Sequence, residues 1–221
     1  MPASRKSRSA EARPYHHGNL RVALIEAGVA LAQAGGPEAV SIREACRQVG
    51  VSHAAAYRHF PDHDALLGAV ADAAMTALSE LMAQLIEEAE GADSQSLARA
   101  ALQATGRAYV RFAVTEPGLF RTAFARPESH GDPVTADDPE SPLSSPLDLL
   151  AQSLDQVLAS GAMPADRRPG AEVTAWSAVH GLSMLLLEGP LRGLADQRRD
   201  EVIERVLTDV TRGLTATEPT R

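Results

Sequence analysis

Ser41-Ile-Arg-Glu-Ala-Cys-Arg-Gln-Val-Gly-Val-Ser-His-Ala-Ala-Ala-Tyr-Arg-His-Phe60, followed by Pro61, spells a helix, a tight turn, a second short helix and a stop. Ser41 is placed to cap the first helix, with Glu44 three residues on to close a capping box. Ile42, Ala45, Cys46 and Val49 recur at helical spacing and define its buried face. Gly50 supplies the permissive backbone that a sharp turn needs. Val51 packs between the helices, and Ser52 caps the second one. That helix is Ala-rich, carries Tyr57, Arg58 and His59 at its end, and stops near Pro61. The pattern is that of a helix-turn-helix, which lays its second helix in the major groove of DNA.

Outward from this motif the chain reads as all-α, with about nine helices and no alternating strand pattern. Met1–Pro14 is polar and is expected to be a flexible basic arm. Helix 1 is expected from about Asn19 to Ala34, with Leu20, Ala23, Leu24, Ala27 and Leu31 inward and Gly35-Gly36 as its end. Asp62 is placed to cap a long helix reaching about Glu90. Further helices are expected over 94–115, 118–125, 146–160, 171–188 and 200–214. Residues 126–142, rich in Pro, Asp, Ser and Gly, are expected to form a surface loop. The domains follow as the arm 1–14, a helix-turn-helix unit 15–64, and a second helical unit 65–221.

Formal net charge is −8, but it is split along the chain. Residues 1–60 hold eight Arg and Lys against four Asp and Glu, and the remainder holds 13 against 25. A basic head on an acidic body suits contact with DNA at one end. Arg5, Lys6, Arg8 and Arg13 are placed either to enter a minor groove or to form a solvated tail. The single cysteine, Cys46, excludes an internal disulfide and suits a reducing, cytoplasmic setting as a small buried hydrophobe. The leader has no apolar run, and the apolar stretch Leu182–Leu187 is too short to span a bilayer, so no membrane partner is expected.

Within the motif, His53, Ala54 and Ala55 are expected to face base edges, where alanine permits close approach and touches a thymine methyl. Tyr57 and His59 are assigned to the backbone, which sets register. Ser41, Arg43 and Ser52, at helix starts, are the other DNA-binding candidates. Adjacent His16 and His17 share no helix face and complete no ligand spacing, so no metal is expected, and no cofactor. Trp176, His180 and Met184 share a face at i, i+4, i+8, and Tyr109, Phe112, Phe120 and Phe124 are placed to meet them. Two readings stay open here: a filled core, or a largely apolar pocket with His180 as an orienting group. No nucleophile and base accompany His180, so the chain is not read as an enzyme, although a small helical enzyme using His180 is the rival of another class. The apolar run 171–188 and the stripe Val202, Val206, Val210 and Leu214 predict a four-helix dimer interface.

Gly50-Val51-Ser52 and Tyr57-Arg58-His59-Phe60, with the helix from Leu20 and Leu66-Leu67, resemble the DNA-binding domain of the tetracycline-repressor (TetR) family over residues 14–70. Trp176, His180 and Gly181, with Tyr15-His16-His17-Gly18-Asn19-Leu20-Arg21, resemble a subgroup carrying a Trp-His-Gly motif in its ligand-binding domain. The resemblance implies a homodimeric transcription regulator, most often a repressor, that leaves a palindrome-like DNA operator when a small, largely apolar effector binds. An activator, or a DNA binder without an effector, is the alternative. His63 stands where the family often has a phosphate-binding lysine. Histidine carries only part of a charge near neutral pH, which makes this contact weaker or pH-sensitive.

Overall fold

The computed structural model describes residues 20–125 and 145–216. The expected arm, the Tyr15–Asn19 entry and the loop over 126–142 lie outside the described residues. Within them are nine α-helices and no strand: α1 Leu20–Gly35, α2 Ile42–Val49, α3 His53–Ala56, α4 His63–Glu87, α5 Ser94–Thr115, α6 Pro117–Ala123, α7 Pro146–Ala159, α8 Ala171–Leu187 and α9 Asp196–Thr215. Short 3-10 turns, Pro37–Ala39 and Ala165–Arg167, join α1 to α2 and lead into α8.

Side-chain caps fix the starts of five of these helices, α2, α3, α4, α5 and α7. Asp62 Oδ1 accepts from the Ala65 amide at 2.8 Å and starts α4. Asp93 and Ser96 form a reciprocal capping box that starts α5, and Ser145 with Asp148 does the same for α7. The long helix stops at Glu87, short of the expected Glu90. Residues 88–92, EAEGA, hold no apolar side chain larger than alanine to anchor another turn. α9 begins a turn earlier than expected, at Asp196. That first turn, Asp-Gln-Arg-Arg, has no apolar residue for a periodicity argument to find, and an Asp196–Arg199 ion pair of 3.0 Å steadies it.

α1 packs on α4, and α2 and α3 pack on α1 and on each other. α4 then continues into a second bundle in which α5 lies central, against α4, α7, α8 and α9. α6 fills the corner between α1 and α4. One buried cluster runs from Leu24 and Phe60 through Val70, Leu78 and Phe120 to Val179 and Leu207, so the core crosses the boundary expected at residue 64. A second cluster joins Leu102, Leu150, Leu154, Val157, Met163 and Leu214. By length and hydropathy alone α4 resembles a membrane span. Its Leu66, Val70, Ala74, Leu78 and Met82 are buried in this core, which accounts for that composition.

Candidate functional site

The reader unit is built from its caps outward. The Ser41 hydroxyl accepts from the Glu44 amide at 3.1 Å. The expected capping box is only half formed, because the Glu44 carboxylate turns away to Arg47. That hydrogen bond holds the Glu44 carboxyl below its usual range. Gly50 closes α2 at φ 77° and ψ 34°. A Cβ there would meet nothing within 4 Å, so the demand for glycine is conformational rather than spatial. The Ser52 hydroxyl accepts from the Ala55 amide at 3.2 Å. Cys46 is buried with Sγ 4.0 Å from the Ser52 carbonyl, and burial raises its thiol pKa above the ordinary value.

α3 itself is one turn long, and the chain continues helix-like through Tyr57 to Phe60, whose amide bonds the Ala56 carbonyl at 2.9 Å. His53 and Ala54 are exposed, and Tyr57 is 53% exposed. Ala55 differs from the expectation: it is half-buried and packs against the core, because Ala56 and Ala55 together form the seat of this short helix. His59 is half-buried, and Arg43 is exposed beside the α2 N-terminus. Arg21 stacks over the buried Phe60 ring at 5.3 Å, pinning the end of the reader to α1. His63 places Nε2 3.0 Å from the Val40 carbonyl and Nδ1 3.2 Å from Asp64. Its ring therefore ties the start of α4 to the turn just before the α2 cap.

The aromatic residues do come together, but as a packed wall. Tyr109 meets Phe120 edge-on at 5.6 Å, Phe120 meets Phe124 at 5.0 Å, and Phe124 meets His180 at 5.1 Å. Trp176 Nε1–H donates to the Tyr109 hydroxyl at 3.1 Å, and that hydroxyl lies 2.8 Å from His180 Nδ1. Burial raises the Tyr109 phenol well above its ordinary pKa, opposed by the Trp176 hydrogen bond. The phenol thus stays protonated, and its oxygen joins the Trp176 indole N–H to the His180 ring.

Beside this wall lies a cavity of about 130 Å³. Tyr109, Phe124 and Trp176 line it. Phe112, Phe120, His180 and Met184 do not: Phe112 and Phe120 are buried in the core, and the His180 ring packs against Tyr109 and Trp176. Much of the lining comes from residues not assigned to a pocket from the sequence: Met75 and Met82 on α4, Gln103 and Gly106 on α5, Leu147 and Leu150 on α7, and Leu207, Thr211 and Val210, the last expected at the dimer interface, on α9. Two signals were available. Gly106 interrupts α5 where a Cβ would sit 2.5 Å from Leu207, and Thr211 is a polar residue within the apolar stripe of α9. No group of three or more His, Cys, Asp or Glu residues suited to a metal occurs among the described residues.

The stripe assigned to a dimer splits. Val202, Val206 and Val210 are half-buried, but Leu214 is buried in the second core cluster with Leu102 and Leu154. Steps of four residues drift on a helix of 3.6 per turn, so Leu214 lies about 120° around α9 from Val202. α8 instead presents Val173, 57% exposed, and Leu185, 44% exposed, on either side of the exposed Ser177 and Gly181.

Residues 24–70 match the family described as bacterial regulatory proteins, tetR family, and residues 102–210 match the tetracyclin repressor-like C-terminal domain. The chain belongs to the TetR family of transcriptional regulators. It is similar to an HTH-type transcriptional repressor of Mycobacterium tuberculosis, 38% identical over 85 residues, which cover 36% of this chain and 45% of that protein. The match therefore spans less than half of the length of that relative. A protein of unknown function from Rhodococcus sp. RHA1 has a similar structure, with TM-score 0.69 and 28% identity over 93% of this chain and 100% of its own. A TetR variant from Acinetobacter baumannii AYE, in complex with minocycline, shares the fold at TM-score 0.55 and 16% identity, over 88% of this chain and 97% of its own. These TetR matches are to transcription regulators and not to enzymes. They do not identify a Trp-His-Gly subgroup.

Proposed function

We propose that this TetR-family chain is a homodimeric repressor that a small, largely apolar effector releases from a palindrome-like operator in the cytoplasm. The observation that carries the reading is α4. It starts at the Asp62 cap beside the reader and runs unbroken for 25 residues, about 37 Å, carrying Met75 and Met82 into the cavity wall on its way. A ligand that favours one tilt of such a lever changes the separation of two reader helices, which must meet major grooves about 34–36 Å apart. Residues up to 64 would bind DNA through Ser41, Arg43, Ser52, His53, Ala54, Tyr57, His59 and His63. The remainder would hold the effector and the second subunit, with α8 and α9 making the four-helix interface. The mycobacterial relative supports the repressor reading over its 85 matched residues, and the minocycline-bound neighbour supports a small-molecule effector.

The test is selection of an operator from a random DNA pool with the full chain, followed by a compound screen for release. Two half-sites about one helical turn apart and a compound that weakens binding are the expected results. A selected site without symmetry, or DNA affinity indifferent to every cavity-binding compound, would favour an effector-independent DNA binder.

A further inference from the structure

The lining of the cavity is specific about the chemistry of its occupant. Among the described residues no charged side chain reaches it. Most of its polar groups are already engaged. The Thr105 hydroxyl donates to the Ala101 carbonyl at 3.0 Å and lies 3.1 Å from Ser153 Oγ. Ser145 caps α7, and the Trp176 and Tyr109 groups are used in their chain to His180. Two groups remain. Thr211 is 5% exposed, yet its hydroxyl makes no hydrogen bond with the described residues. Other buried helical hydroxyls, Thr122 and Ser183, each donate to the carbonyl four residues back, at 2.8 Å. The Gln103 amide, half-buried in the same lining, is likewise unpartnered among the described residues.

Both residues line the cavity, from the neighbouring helices α5 and α9. Arg107 bonds Glu204 at 2.6 and 2.7 Å, and Gly106 abuts Leu207. α5 and α9 therefore run antiparallel, and one further turn brings Gln103 level with Thr211. A buried donor and acceptor without partners are costly unless a ligand supplies them. Size narrows the class. A cavity of about 150 Å³ lined by apolar side chains admits one benzene ring, so about 130 Å³ limits the occupant to about one ring.

We propose that the cavity binds an uncharged, single-ring molecule bearing one hydroxyl or carbonyl group, which Thr211 and Gln103 recognise while the apolar walls hold the ring. The assignment rests on the effector reading above, but its chemistry is separately testable. Calorimetry on the full chain, with Trp176 emission as a second signal, would compare phenol, cyclohexanol, toluene and benzoate. Phenol and cyclohexanol should bind, toluene about tenfold more weakly, and benzoate not at all. Thr211→Val and Gln103→Leu should each weaken phenol about tenfold without weakening toluene, and Thr211→Ser should retain the preference. Benzoate binding as well as phenol, no binding of either phenol or cyclohexanol, or phenol affinity unchanged in the double variant would overturn the proposal. If phenol binds as expected but does not release the operator, the cavity assignment stands and the effector reading falls. If a charged compound releases the operator while phenol and cyclohexanol do not bind, the effector reading stands and the proposal falls.

Discussion

At the scale of single residues, Tyr57 and Tyr109 are the same side chain put to opposite uses. Tyr57 is more than half exposed at the end of the reader, with nothing in the core depending on it. Tyr57→Phe should leave the thermal midpoint unchanged and weaken operator binding by about 1–2 kcal/mol at matched salt, if the hydroxyl meets a phosphate. Undiminished affinity would remove Tyr57 from the contact surface. Tyr109 is buried between Trp176 and His180 and relays a hydrogen bond from one to the other. Tyr109→Phe strands the indole N–H and His180 Nδ1 at once, so about 1–3 kcal/mol of stability should be lost in denaturant titration, with a shift in Trp176 emission. Unaltered stability and emission would mean that the relay contributes nothing. Cap residues such as Ser52 and Asp62 were legible in the sequence because capping is a local bargain between a side chain and the next turn. The proposed roles of Gln103 and Thr211 were not, because a polar residue in an apolar stripe, such as Thr211, does not by itself show that its hydroxyl is unsatisfied. Only the approach of α9 to α5 does.

At the scale of elements, α6 joins the two ends of the molecule. Its Phe120 packs into the aromatic wall, while a Cβ on Gly118 would stand 2.1 Å from the Ala32 carbonyl of α1. Gln33 on α1 also donates to Glu116 at the start of α6, at 3.1 Å. Gly118→Ala should push α6 off α1, costing about 1–3 kcal/mol of overpacking and changing operator affinity in the absence of any effector. Normal operator affinity in folded Gly118→Ala would detach α6 from the reader. α5 and α9 are tied by Arg107 and Glu204, and the Arg107 hydrogen bonds hold the Glu204 carboxyl below its usual range. A carboxyl depressed in the folded state stabilises above its unfolded pKa, and that stability is lost as pH falls through the folded value. The thermal midpoint should therefore drop on acidification less steeply in Arg107→Gln than in the parent, and parallel curves would show the pair to be thermodynamically silent. The longer helices were readable because apolar periodicity is strong over ten or more residues, and the short α2 and α3 because their caps and glycine turn mark them. The first turn of α9 was missed because it is wholly polar, and Leu214 was misassigned because a four-residue stripe drifts away from its own face.

At the scale of the whole molecule, the proposed function rests on a second copy that holds two readers at a fixed spacing. Val206, the obvious residue to charge from the sequence, is a poor probe, because it packs partly against the core of its own subunit. Leu214 is worse, being fully inside it. The outward face of α8 is the cleaner place. Leu185 is 44% exposed and Val173 57% exposed, and a Cβ on Gly181 between them would meet nothing within 4 Å in the same subunit. A face with bulk at its ends and small residues at its centre lets a second helix approach closely, and a stable interface needs at least about 1,000 Å². Leu185→Glu should leave the helical content and Trp176 emission of the subunit intact, because the side chain faces away from the core. In sedimentation the variant should run as a monomer, and operator binding should collapse, since one reader holds only a half-site. Gly181→Val makes the same point by bulk instead of charge, so the two variants separate steric from electrostatic disruption. If Leu185→Glu still sediments as a dimer, the interface lies off α8, and the spacing argument must be rebuilt on the face of α9 that carries Val202 and Val206.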